Sequence, residues 1–143
     1  MGGPQLNGEL LSGIIGSMDG QNAANVGVEV NSMELLQEGY LLRIFIGESD
    51  KKDGKLLYEW LVLQAKAMEL AGATVLRGVM GFGPTSRIQT SKILRLSQDL
   101  PIVVEVVDTR DRLEKYLQAI DSVIEGGMAT LEKAQVRFYR KKF

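Results

Sequence analysis

From Tyr40 onward the spacing of the apolar residues switches period in a fixed order, and that order restricts the chain to very few folds. Leu42, Ile44 and Ile46 alternate with Leu41, Arg43 and Phe45, the two-residue period of a half-buried strand. The polar run Glu48-Ser49-Asp50-Lys51-Lys52-Asp53-Gly54 follows, with Asp53-Gly54 as turn chemistry. From about Lys55 to Ala71 the period lengthens to that of a helix. Leu57, Leu61 and Met68 line its apolar face, Trp60, Leu63, Ala67 and Leu70 flank them, and Gly72 is placed to end it. Thr74 to Met80 reads as a second strand, broken by Gly81-Phe82-Gly83-Pro84. Residues 85 to 99 are polar, with Ile88, Ile93, Leu94 and Leu96 scattered among them, and read as a loop with a short helix. Pro101 then opens Ile102-Val103-Val104-Glu105-Val106-Val107, the most strand-like run in the chain. Asp108 or Thr109 caps a second helix with the stripe Leu113, Tyr116, Leu117, Ile120 and Val123 or Ile124, and Gly126-Gly127 stops it. A last strand runs from about Ala129 to Tyr139, with Ala134, Val136 and Phe138 on one face.

The order is βαββαβ, an α+β class. Right-handed crossovers in its two βαβ halves put both helices on one face of a four-stranded antiparallel sheet, a ferredoxin-like sandwich. The other sheet face is left open, carrying Leu41, Phe45, Val75 and Val79 or their opposite-parity neighbours. An apolar face of that size calls for a cover, and self-association supplies one. Residues 1–38 form a Gly-rich N-terminal extension, and 39–143 the domain. Eight of the sixteen glycines fall between Gly2 and Gly39. In the extension Leu10, Leu11, Ile14, Ile15 and Met18 have helical spacing weakened by Gly13 and Gly16, while Val26, Val28 and Val30 alternate like a short strand. It reads as a loosely ordered arm, or as one that packs on the domain or on a neighbouring subunit.

Composition then excludes chemistry. The chain has no histidine and no cysteine, so it cannot build a Ser-His-Asp triad, a thiol nucleophile, or an imidazole or thiolate zinc site. The expectation is binding rather than catalysis, with no catalytic residue, no resident cofactor and no metal. A net charge of −1 argues against nucleic acid as a partner. No signal peptide or spanning segment is evident, and the default location is cytoplasmic.

Several segments in order resemble a known family. They are Leu42-Arg43-Ile44-Phe45-Ile46-Gly47-Glu48-Ser49-Asp50, Ala71-Gly72-Ala73-Thr74-Val75-Leu76-Arg77-Gly78, Gly81-Phe82-Gly83, Ser86-Arg87-Ile88 and Leu94-Arg95-Leu96-Ser97, then Ser97-Gln98-Asp99-Leu100-Pro101. Together, over about Tyr40 to Tyr139, they resemble domain of unknown function 190, a family kin to the PII signalling proteins. The resemblance implies a PII-like trimer and a small anionic effector, an adenine nucleotide among the candidates, held in clefts between subunits. It also implies signalling to a partner, for which a membrane transporter or channel is one class. Two departures stand out. Lys52 and Gln89 occupy positions where relatives often carry histidines, and the long tyrosine-bearing modification loop of true PII proteins is not evident.

The candidate ligand residues fall in two loops. Gly81, Phe82 and Gly83, with Ser86, Arg87 and Thr90 after them, offer amides that approach an anion, hydroxyl donors and a planar cation. The bland reading is a turn, since no Walker-type lysine-serine spacing follows. Gly47, Glu48, Ser49 and Lys55 lie between a strand end and a helix start, where free amides bind anions. Their acidic neighbours instead fill those amides, hold a cation through Asp50 and Asp53, or remain solvated. Arg77 and Glu105, mid-strand in apolar runs, pair across the sheet or between subunits, or sit at an exposed edge. The basic end Arg137, Arg140, Lys141 and Lys142 reads as a frayed, solvated tail. Three rival functions share this sequence: a ligand-free scaffold, an RNA-binding module and an acylphosphatase-type hydrolase. The RNA module lacks aromatics on Ile102–Val107, and the hydrolase lacks a cationic cradle at Gly47-Glu48-Ser49-Asp50.

Overall fold

Alternation and helical spacing are realised in a computed structural model that describes residues 32–85, 87–92 and 99–142. Residues 35–38 are helical and run directly into strand β1, Gly39–Gly47. Then come the two-residue strands β2 (Lys51–Lys52) and β3 (Lys55–Leu56), helix α1 (Leu57–Ala67) and strand β4 (Gly72–Arg77). Two more short strands, β5 (Met80–Gly81) and β6 (Gln89–Thr90), precede β7 (Pro101–Thr109). Helix α2 (Arg110–Ile120), a 3-10 turn Asp121–Val123 and strand β8 (Met128–Lys133) complete the domain. The residues from Leu35 onward form one compact unit. The expected helix and strand before residue 31 lie outside the described residues, as do Ser86 and residues 93–98 of the 85–99 stretch expected to be a loop with a short helix. The described part of that stretch holds the unexpected strand β6.

The main sheet has the order β4-β7-β1-β8, all neighbours antiparallel. Non-consecutive neighbours require two crossovers, and α1 and α2 are those crossovers. Even-numbered residues of β1 and β7 (Leu42, Ile44 and Ile46 with Ile102, Val104 and Val106) meet Leu57, Leu61 and Ala65 of α1 and Leu113, Tyr116 and Ile120 of α2 in one buried core. Both helices therefore lie on one face, as the order of elements predicts. Tyr116 is fully buried and its hydroxyl donates to the Leu61 carbonyl at 2.7 Å, fastening α2 to α1. Burial pushes that phenol far above its ordinary pKa.

Several element ends differ from the sequence expectation. α1 stops at Ala67, short of Gly72, because Glu69 takes a left-handed φ of 55°. The Arg112 guanidinium holds that turn by donating to the Met68 and Glu69 carbonyls at 3.2 and 2.5 Å. Neither proposed cap of α2 is a side-chain cap. Thr109 is the N-cap residue without such a bond, and the buried Asp108 carboxylate accepts from the Thr109 and Ala71 amides at 2.7 and 2.8 Å. The second strand breaks after Arg77, and the last ends at Lys133, not Tyr139. Asp53 and Gly54, both with positive φ, form the two-residue turn between β2 and β3. Gly127 is obligatory at φ 135°, since a Cβ there would lie 2.2 Å from the Phe45 carbonyl oxygen.

Candidate functional site

Three strand ends converge where β1 finishes. Gly47 pairs with Pro101, the first residue of β7, and the Glu48 amide donates to the Leu100 carbonyl at 2.9 Å. Just past β4, the Gly78 amide donates to the Pro101 carbonyl at 2.7 Å. The candidate anion loop sits on this junction, and several of its backbone amides are already engaged. Gly47 donates its amide to Asp50 Oδ2 at 2.8 Å, and Ser49 donates to Asp99 Oδ1 at 2.8 Å. The Leu57 amide at the start of α1 goes to the Asp50 carbonyl at 2.7 Å. A carboxylate of the loop itself, Asp50, fills the Gly47 amide, whereas the Ser49 amide is filled from outside the loop by Asp99 and those of Glu48 and Leu57 go to backbone carbonyls. A Cβ on Gly47 would fall 2.7 Å from Asp99 Oδ1, so glycine is what admits that carboxylate. Glu48 is held by Arg77 at 2.6 Å. Lys55 stands opposite Lys52 on the small β2–β3 hairpin, where Lys52 contacts Asp53 at 3.1 Å.

The second candidate loop is a hairpin. β5 and β6 pair Met80 with Thr90 and Gly81 with Gln89. Its base rests on the same junction, since a Cβ on Gly81 would lie 3.1 Å from the Pro101 ring. Among the described residues, nothing lies within 4 Å of a Cβ placed on Gly83. Phe82 is 72% exposed and Val79 75%, and Met80 and Ile88 are also mostly in solvent. Arg87 is exposed and makes no ion pair with a described residue. The Thr90 hydroxyl accepts from the Lys92 amide at 3.3 Å. Gly47, Glu48, Ser49 and Gly81 thus meet around Asp99–Pro101, while Phe82, Gly83, Arg87 and Thr90 ride on the projecting hairpin and Lys55 sits on a separate one.

The sheet face away from the helices carries a feature missed in the sequence. Register aligns Arg43 with Glu105, and the guanidinium bonds Glu105 at 3.0 Å and also bonds Glu132 of β8. These hydrogen bonds, that of Glu105 foremost, hold Arg43 protonated beyond its ordinary range. Arg77 and Glu105 do not pair across the sheet within the chain; Arg77 lies opposite Ile102 on an edge strand, largely exposed, and turns to Glu48. Around the Arg43 cluster stand Leu41, Phe45, Val103 and Val107, all part-exposed, with Leu76 and Met128 at the edges. Parity in β4 is opposite to one expectation, since Val75 packs on the core and Leu76 faces out. The useful signal was parity itself: Arg43 shares it with Leu41 and Phe45. Asp99 gave no signal, as its partner is fifty residues away.

Among the described residues, no helix is long and apolar enough to cross a membrane, and no three carboxylates cluster as a metal site. One open groove, about 560 Å³, runs between α2 and β8 past Leu117, Ile124 and Met128, and a smaller one lies between α1 and β4. Neither is lined by a candidate ligand residue.

Comparison with known proteins bears on this geometry. The family described as "Uncharacterized ACR" (DUF190) matches residues 39–136. A UPF0166 protein of Aquifex aeolicus is 38% identical over 96 residues, 67% of this chain and 90% of the relative. A UPF0166 protein of Methanocaldococcus jannaschii is 33% identical over 85 residues, 59% of this chain and 78% of the relative. Among solved structures, CPII, a nitrogen regulatory PII-like protein of Thiomonas intermedia bound to ADP, AMP and bicarbonate, superposes with a TM-score of 0.53. It covers 68% of this chain and 87% of that one at 16% identity, and a second CPII structure, with ADP and bicarbonate, gives 0.51. The fold is PII-like.

Proposed function

The chain belongs to the uncharacterised DUF190 family, and from that membership and its PII-like fold we propose a trimeric regulator that binds a small anionic effector at subunit seams and signals to a partner protein. The observation that carries the reading is the sheet face around Arg43. Leu41, Phe45, Val103 and Val107 stand there part-exposed with no described helix over them, and sister copies give such a surface a cover of matching shape. Covering it creates seams, and the Gly81–Thr90 hairpin at the sheet end offers amides, Thr90 and Arg87 to an anion. The exposed Phe82, Val79 and Ile88 suit the hairpin for touching a partner.

CPII is bound to ADP, AMP and bicarbonate, so these are the effectors to try first. Analytical ultracentrifugation should give three times the protomer mass, falling to one in Phe45→Glu. Calorimetric titration should show heat with at least one of the three compounds, lost in Arg87→Ala. A stable monomeric wild type ends the assembly half, and silence at millimolar concentrations ends the effector half. One observation favours a scaffold with no ligand: the Gly47 and Ser49 amides are satisfied by the chain's own carboxylates.

A further inference from the structure

After β8 the chain does not drift into solvent. The Ala134 amide donates to the Gly39 carbonyl at 2.9 Å, and farther on the Tyr139 hydroxyl donates to the Ala71 carbonyl at 2.7 Å. Gly39 begins β1, beside β8, whereas Ala71 precedes β4 at the opposite edge of the sheet. The chain from Ala134 to Tyr139 therefore crosses the end of the sheet and is fastened at both sides, where the sequence predicts a strand. Of the four cations expected in a frayed, solvated tail, Arg137 lies within the fastened stretch and Arg140, Lys141 and Lys142 follow it, all exposed.

The fastening leaves one set of side chains outward. While Tyr139 bonds to the body, Phe138 is 68% exposed and the Arg140 guanidinium lies 5.1 Å from its ring centroid. Arg137, Lys141 and Lys142 are exposed as well. No acidic residue occurs between Arg137 and Lys142. Residues 35–136, the rest of the compact unit that holds the segment, carry 13 Lys and Arg against 14 Asp and Glu, so the four cations stand against a nearly neutral domain. A basic segment with an exposed aromatic thus lies at one end of a nearly neutral domain.

We propose that the Arg137–Lys142 segment is a docking surface for an anionic lipid bilayer, placing the protein reversibly on a membrane by its C-terminal end. Cations beside an anionic leaflet are attracted within a Debye length of about 8 Å at physiological salt, and a nearly neutral domain behind them adds little repulsion. Phe138 has an apolar layer to enter, and the charged Arg140 beside its ring belongs among headgroups. A nucleic-acid backbone supplies the charge but not that layer. One such segment binds weakly and reversibly; copies joined in an oligomer bind through several at once. The proposal rests on the trimer only for that multiplication, not for the surface itself.

Co-sedimentation of the full chain with vesicles tests it, using vesicles of about one third phosphatidylserine in phosphatidylcholine against phosphatidylcholine alone. The protein should pellet with the anionic vesicles and be released by high salt. The triple variant Arg140→Gln, Lys141→Gln, Lys142→Gln should bind on the order of a hundredfold more weakly, since each cation near such a surface is worth about fivefold. Phe138→Ser should weaken binding severalfold with every charge kept. Both variants leave Tyr139 and the core untouched, and their sedimentation in solution should match the parent, separating loss of the surface from loss of assembly. Absence of anionic-vesicle binding at low salt, equal binding to neutral vesicles, or binding undiminished in the triple variant would each overturn the proposal. So would tighter binding of a single-stranded oligonucleotide than of the vesicle.

Discussion

Replacing Tyr116 by Phe should weaken the protein at neutral pH yet leave it no weaker than the parent in strong alkali. Tyr116 is fully buried between α1 and α2, and its hydroxyl donates to the Leu61 carbonyl at 2.7 Å. Deleting one such neutral hydrogen bond while keeping the ring costs about 1 kcal/mol. The hydroxyl is also a liability. Burial raises its folded-state pKa above that of the unfolded chain, so its contribution is whole below the unfolded value of about 10 and is lost as pH rises past it. At pH 11 the unfolded phenol is mostly ionised while the folded one stays neutral. That favours unfolding by about 1.4 kcal/mol, a term the Phe variant lacks. The deficit of Tyr116→Phe should shrink from about 1 kcal/mol at pH 7 to nothing or a slight gain at pH 11. Urea unfolding of both proteins at one fixed concentration measures it, and the difference isolates Tyr116 because every other group is common to both. A deficit at pH 11 as large as at pH 7 would refute the reasoning, since a phenol that ionises in place is not sealed in the core.

Two further substitutions probe the sheet end and the last strand. Asp99→Ala removes the acceptor of the Ser49 amide, and hydrogen exchange at Ser49 should quicken about tenfold, corresponding to about 1.4 kcal/mol; unchanged protection would mean that Asp99 does not hold the loop. Gly127→Ala places a Cβ 2.2 Å from the Phe45 carbonyl at a φ of 135°, and it should cost at least about 2 kcal/mol. A thermal midpoint equal to the parent's would show that β8 can enter the sheet another way.

Much of this protein is legible in one dimension. Leu42, Ile44 and Ile46 alternate, Leu57 and Leu61 or Leu113, Tyr116 and Ile120 recur at helical spacing, and Asp53-Gly54 has the residues a two-residue hairpin turn requires. These are local patterns, imposed by the geometry of a strand, a helix or a turn on residues a few positions apart. Their order fixes which elements cross over, and so fixes the sheet and its helix-covered face. The absence of histidine and cysteine is likewise complete in the sequence.

What tertiary structure decided is register and reach. Thr74-Val75-Leu76 has side chains acceptable on either side of a sheet, so only pairing with β7 settled that Val75 turns inward and Leu76 outward. Arg43 found Glu105 because register sets which charges stand opposite, an offset of 62 residues that no local pattern encodes, and Arg77, opposite Ile102, reached Glu48 only because the strand ends converge. The helix end at Glu69 depends on Arg112, and the filled Ser49 amide of the candidate loop depends on Asp99. Nothing near Tyr139 in sequence holds it. Ala71, 68 positions earlier, does.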